Sequence, residues 1–204
     1  MRRVLAVGAH PDDIELGCGG ALAKHIARGD TITLLVMTNG ESGPGDCAER
    51  KREASQAAEA LGATIVFADL PDGRVSNHEL EIVQSIERVI EIHNIDTVYT
   101  HWHVDTHQDH RAIAMASWGA CRHVPTVLCY EAPSSRDFEP TVFVDITETF
   151  DKKVAALSHH ISQVGASRMV SDTRISSQAQ MHGFSARSEL AEGFMPHRMV
   201  LTFT

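Results

Sequence analysis

His10, Asp12 and Asp13 stand together at the end of the first apolar run, in Ala9-His10-Pro11-Asp12-Asp13. A turn there brings His10 and Asp13 close enough to share one ion, and a borderline metal such as zinc accepts imidazole nitrogen together with carboxylate oxygen. Asp12, between them, is free to point elsewhere, toward a water at the metal. A second polar cluster, Asp105-Thr-His107-Gln-Asp109-His110, follows another short apolar run. One of its histidines can complete a three-ligand zinc site with an open fourth position, as catalytic zinc requires. The other, held by a carboxylate, can face a developing oxyanion as an imidazolium. The chemistry these types suggest is zinc-assisted hydrolysis.

Blander readings exist for each part. Asp12 or Asp13 alone would serve as a helix cap. His101 and His103 alone read as polar residues of a solvated loop. The glycines after Asp13 suggest a dinucleotide loop, but GAHPDDIELGCGG is not G-x-G-x-x-G, and its carboxylates would repel a pyrophosphate. Gly17, Gly19 and Gly20 instead permit close packing of the first helix.

The elements that must position these residues alternate. Val4–Gly8 reads as a buried strand, followed by a helix over about Leu16–Arg28 that stops at Gly29. Thr31–Thr38 is a second strand, Asn39–Asp46 a loop of turn formers, Ala48–Leu61 a helix and Thr64–Phe67 a third strand. Ser76-Asn-His-Glu79 reads as a capping box opening a helix to about His93. Thr97–Thr100 is strand four, followed by a helix over about His110–Arg122. Val127–Tyr130 and Val142–Val144 are further strands, Thr149–Ser162 and part of Ser171–His182 are helical, and Met199–Phe203 is the last strand. Alternation with short apolar strands predicts an α/β fold, a parallel sheet sandwiched by helices. Ligands bind such sheets beyond the carboxyl ends of the strands, so both clusters fall on one edge.

The 204 residues suit a single domain over 1–204, with 43% hydrophobic and 22% charged residues. A net charge of −9 and the lack of a basic run argue against nucleic-acid binding. No apolar run approaches the roughly 20 residues of a membrane span, and the N-terminus lacks a signal-peptide core, so a cytoplasmic location is expected. The four cysteines form no CxxC and read as thiols.

The two clusters resemble the PIG-L/LmbE-like family of zinc-dependent N-acetylglucosaminyl deacetylases, which includes the mycothiol and bacillithiol biosynthetic deacetylases. The pattern A-H-P-D-D-x-E-x-G-x-G-G matches Ala9–Gly20, and H-x-D-H matches His107–His110. Weaker similarities are Arg50-Lys-Arg-Glu53-Ala54, Val144-Asp145-Ile146-Thr147 with Lys153 and Ser162-Gln163, and Ala191-Glu192-Gly193-Phe194. The resemblance implies a Rossmann-like sheet and one Zn2+, or another divalent metal, held by His10, Asp13 and His110. It implies that Asp12 is the general base on water at the zinc. His107 would polarise the acyl carbonyl, oriented by Asp109, and Arg50 would contact the substrate. It further implies a small N-acetylated sugar conjugate as substrate and a homo-oligomer, trimeric or hexameric. Trp102 stands where many members have proline, which alters the expected rim of the pocket. Two competing readings are a zinc amidase cleaving a thiol-conjugate amide and a non-catalytic metal- or sugar-binding protein.

Overall fold

β1 (Arg3–Gly8) opens the chain with Val4, Leu5, Ala6 and Val7 fully buried, the pattern of a strand covered on both faces. The computed structural model describes residues 1–164 and 171–201. α1 (Asp13–Ala27), β2 (Thr31–Thr38), α2 (Cys47–Leu61) and β3 (Thr64–Leu70) follow. Next come α3 (Glu79–His93), β4 (Thr97–His101), α4 (Gln108–Ala120), β5 (Thr126–Tyr130) and β6 (Val142–Asp145). α5 (Phe150–Leu157), α6 (Ile161–Val164), α7 (Asp172–Ala186) and β7 (Ala191–Met199) complete the described chain.

The strands form one seven-stranded sheet in the order β3-β2-β1-β4-β5-β7-β6. β1 to β5 pair in parallel, whereas β7 runs antiparallel to both β5 and β6. The parallel sheet expected from strand–helix alternation is present in β1–β5, and an antiparallel edge makes the whole sheet mixed. The alternation stops after Tyr130, where β6 follows β5 with no helix between them. β7 also replaces the last strand expected at Met199–Phe203, and residues 202–204 lie outside the described residues. Its start is masked in the sequence because Glu192 and Gly193 interrupt the apolar pattern. Glu192 is nevertheless buried, accepting Gly20 N–H (2.9 Å), Ala21 N–H (2.7 Å) and Lys153 Nζ (2.6 Å).

Two further expectations change. The capping box at Ser76–Glu79 does not form. Val75 is fully buried, Val75–Asn77 make a 3₁₀ turn, and α3 begins only at Glu79, with His78 at its N-cap making no side-chain cap bond. The helix expected over Thr149–Ser162 divides into α5 and α6, where the chain turns and draws His160 inside (1% exposed).

One apolar core lies under α3 and α4 and another under α1, on opposite faces of the sheet. Tight approach of α1 to the sheet depends on glycine, as expected. A methyl group at Gly17 would lie 2.1 Å from the Tyr130 ring, and one at Gly20 2.8 Å from Ile146. Tyr130 is fully buried and its hydroxyl donates to Val7 O, so it has nowhere to move. Gly17→Ala is therefore expected to destabilise the protein by about 3 kcal/mol, at the upper end for overpacking. Gly119→Ala, exposed on α4 with open space around it, is expected to be neutral or mildly stabilising. Urea unfolding midpoints of the two variants check the contrast.

The sheet order places a topological switch between β1 and β4. Crevices at such points, outside the carboxyl ends of the strands, are where open α/β sheets hold ligands. Both polar clusters emerge there.

Candidate metal centre and active site

The turn after β1 is held by its neighbours. Ala9 O accepts Thr38 N–H and Thr38 Oγ1 (2.9 Å each), and Ala9 N–H donates to His101 Nε2 at 3.1 Å. Asp12, at the N-cap of α1, has φ +100°, a conformation strained for a non-glycine residue, and its side chain makes no cap bond. Capping is thus not what Asp12 does. Arg50 fixes the turn from above, donating Nη2 to Pro11 O (3.1 Å) and Nη1 to Gly40 O (2.6 Å). α1 begins three residues earlier than the sequence pattern indicates, which puts Asp13 in its first turn.

Asp13 sits at the centre of the cluster. Its Oδ2 accepts His10 N–H (2.8 Å) and lies 3.2 Å from His10 Nδ1, while its Oδ1 lies 3.5 Å from His110 Nε2. Burial pushes this carboxyl up, but His110, His101 and His10 outweigh it and hold it well below the usual carboxylate range. Burial likewise works against charge on His110, yet Asp13 and Asp105 raise it to about 9. His10 is raised well above the ordinary histidine value despite its burial, by Asp109, Asp13 and Asp72.

One donor atom each from His10, Asp13 and His110 all lie within 4.8 Å of one another. Within this set His10 Nδ1 lies 3.2 Å from Asp13 Oδ2 and His110 Nε2 lies 3.5 Å from Asp13 Oδ1, so the two histidines flank the two oxygens of one carboxylate. Two imidazoles and a carboxylate are a donor set that suits zinc or a similar divalent ion. His10, His107 and Asp109 form a second close set, but it shares His10 with the first.

Each histidine of the first set has a carboxylate behind it. His110 Nδ1 stands 3.2 Å from Asp105 Oδ2, and His10 Nε2 stands 2.9 Å from Asp72 Oδ1 and 3.4 Å from Asp109 Oδ2. Such outer partners fix the tautomer and orientation of ligating imidazoles. Asp72 was not singled out in the sequence. It occupies a Pro-Asp-Gly turn after β3, and its only signal was that this turn opens on the same sheet edge as the two clusters.

Asp12 remains outside the donor set. Burial and the adjacent Asp13 charge push its carboxyl up to about 7, against the pull of His160, Arg50 and His10. His107, the N-cap of α4, stacks on His110 with ring centroids 4.5 Å apart. Its Nδ1 accepts Asp109 N–H at 3.3 Å, which leaves Nε2 as the protonated nitrogen of a neutral ring. Burial and the nearby His10 and His110 charges lower its pKa accordingly. Asp109 therefore touches His107 through its backbone. Its carboxylate accepts Gly73 N–H (2.7 Å) and faces His10.

His101 departs from the solvated-loop reading. It ends β4, is fully buried, and stacks on His110 with centroids 4.0 Å apart. Burial and His110 lower its pKa to about 4, consistent with a neutral ring accepting Ala9 N–H. His103 is also drawn inward, but away from the donor set, between Trp102 and Trp118. Trp102 Nε1 donates to Arg136 O (3.0 Å) and so ties down the segment that follows β5.

These residues open on a cleft of about 590 Å³ lined by His10, Asp12, Asp13, Arg50, His107 and His110. Ser42–Pro44 and Pro133–Ser134 also line it. Arg50 is almost wholly buried (4% exposed), with both terminal nitrogens engaged by carbonyls. Glu53, one turn on, accepts Ser162 N–H and Oγ, and Gln163 Nε2 donates to Pro44 O. Among the described residues, no helix is long and apolar enough to cross a membrane.

Several known proteins are similar to this chain. The model of one protein family, PIG-L (GlcNAc-PI de-N-acetylase), matches residues 5–121. An Escherichia coli protein described as the uncharacterized deacetylase YaiS is 40% identical over 167 residues, 78% of this chain and 90% of that protein. The 4-oxalmesaconate hydratase of Pseudomonas putida is 29% identical over 190 residues, 77% of this chain and 72% of its own. The crystal structure of the conserved protein TT1542 from Thermus thermophilus superposes with a TM-score of 0.85 at 27% identity, covering 100% of this chain and 98% of that one.

Proposed function

Because this chain belongs to the PIG-L family, we propose that it is a metal-dependent N-deacetylase acting on an N-acetylglucosamine-type substrate. The reaction is R-NH-CO-CH3 + H2O → R-NH2 + CH3COOH. The observation that carries this reading is a carboxylate, Asp12, set in the same cleft as a His2Asp donor set yet not part of it. A protein that only bound metal would have no use for that extra group.

His10, Asp13 and His110 would hold the metal, which when bound supplies Lewis acidity and eases deprotonation of water near neutral pH. Asp12 takes the proton of the attacking water and returns it to the departing amine nitrogen. His107 donates from Nε2 to the acyl oxygen as it gains negative charge. This replaces the imidazolium expected from sequence with a neutral donor, since Nδ1 is occupied as an acceptor. Asp109 sets that tautomer through its N–H. Arg50 holds the strained turn that aims Asp12 and presents its charge to the cleft wall.

The test is amine release by metal-loaded protein across free N-acetylglucosamine, its malate and inositol conjugates, diacetylchitobiose and a thiol-conjugate amide. Release from one of the sugars is the expected result and names the attached group. Release only from the thiol conjugate would point to the amidase. Because one relative is a hydratase, an unsaturated carboxylate belongs in the panel. Hydration of it, with no amine from any member, would replace deacetylation by water addition.

A further inference from the structure

Asp72 is joined to two parts of the molecule at once. Its Oδ1 stands 2.9 Å from His10 Nε2, and its Oδ2 accepts Ser42 N–H at 2.9 Å. Its own N–H donates to Glu41 Oε1 at 2.8 Å. Two consecutive residues of the loop over 39–46 thus grip the residue that grips His10. Positions 41–48 are all exposed, so the loop has no packed side chains of its own to hold its middle in place. Further hydrogen bonds hold the loop nearer its ends: Gly40 N–H to Thr38 Oγ1, Arg50 Nη1 to Gly40 O, Gly43 N–H to Gly40 O, Gln163 Nε2 to Pro44 O, and Asp46 accepting Glu49 N–H and Arg50 N–H.

At the other end of this link, His10 presents Nδ1 to Asp13 and Nε2 to Asp72. An imidazole that gives one nitrogen to a metal donates the other N–H to a fixed acceptor, and that acceptor sets the ring's direction. Asp109 Oδ2 lies near the same nitrogen but farther off, at 3.4 Å, and its bond to Gly73 N–H ties it to the turn beside Asp72 rather than to the loop.

We propose that Asp72 is a positioning residue that fixes His10 for the metal and, through Ser42 and Glu41, couples ordering of the 39–46 loop over the cleft to metal occupancy. The proposal rests on the assignment of His10 as a metal ligand. Coupling of this kind is reciprocal. Whatever the anchored loop contributes to metal affinity, the bound metal returns as order in the loop.

The test uses the full chain, as wild type, Asp72→Asn and Glu41→Ala. Zn2+ affinity is measured by competition with a chromophoric chelator, and hydrogen exchange of residues 39–46 with and without Zn2+. Zn2+ is expected to slow exchange in the wild-type loop, and both variants are expected to lose that slowing. Asp72→Asn is expected to bind Zn2+ about 10–100-fold more weakly, the usual effect of removing an outer partner of a ligating histidine. Glu41→Ala alters an exposed residue that does not touch His10, and is expected to weaken Zn2+ in the same direction, which a purely local role for Asp72 would not produce. Wild-type affinity in both variants, or full Zn2+-dependent protection of the loop in either, would overturn the coupling. A wild-type protein that takes up no Zn2+ would overturn the ligand assignment itself, and the coupling with it.

Discussion

Asp12→Asn is expected to bind metal as tightly as the wild type and to deacetylate about 10²–10⁴-fold more slowly, the range that a positioned acid–base group supplies. The substitution is nearly isosteric, and asparagine tolerates a positive φ about as well as aspartate, so the strained N-cap at φ +100° is preserved. No side-chain cap bond is lost, because Asp12 makes none. What disappears is the only carboxylate of the HPDD turn outside the donor set. The loss should fall on kcat rather than KM, since Asp12 acts on the proton being transferred and not on substrate binding. Steady-state kinetics alongside metal analysis of the same sample check this. Wild-type kcat in a metal-loaded Asp12→Asn protein would remove Asp12 from the chemistry.

His110→Ala is expected to fail in the opposite manner, losing the metal and turnover with it. His110 faces Asp13 through Nε2 and Asp105 through Nδ1, and its ring lies against both His101 and His107. Removing it leaves two of three ligands, so the affinity loss should exceed the roughly 10–100-fold typical of outer partners. Dialysis against a chelator followed by metal analysis reads the result directly, with circular dichroism as the control for folding. Full occupancy after dialysis would contradict the ligand role of His110.

The two variants are chosen to separate holding the metal from using it, and the closeness of the residues they target was legible in the chain. His10 and Asp13 could be found because they lie within a few residues of the end of β1, and His110 because it lies in the first turn of the helix after β4; a parallel sheet brings these strand ends to one edge. The sheet order confirms this geometry, since the switch between β1 and β4 lies where the two motifs emerge. What was not legible depends on contacts that no local pattern encodes. Asp72 is a single acid in a turn, 62 positions from the histidine it supports. His101 looks like a surface residue in sequence because its burial arises from Tyr130 and His110, both supplied by other elements. Glu192 hides β7 because a carboxylate in a strand reads as solvent-facing, whereas here it is satisfied by two backbone N–H groups of α1 and by Lys153. The role of Asp109 was read in terms of its side chain, while the structure brings its backbone to His107.

The central claim is that one divalent metal in the His10–Asp13–His110 set enables release of an amine from an N-acetylated sugar. The most direct measurement is to strip the protein of metal, add Zn2+ back in steps, and follow amine formation from an N-acetylglucosamine conjugate together with bound metal. The account predicts no amine without metal and a rise that levels off at one bound ion per chain. Amine formation undiminished after stripping, or none from any N-acetylated sugar at one bound ion per chain, would contradict it.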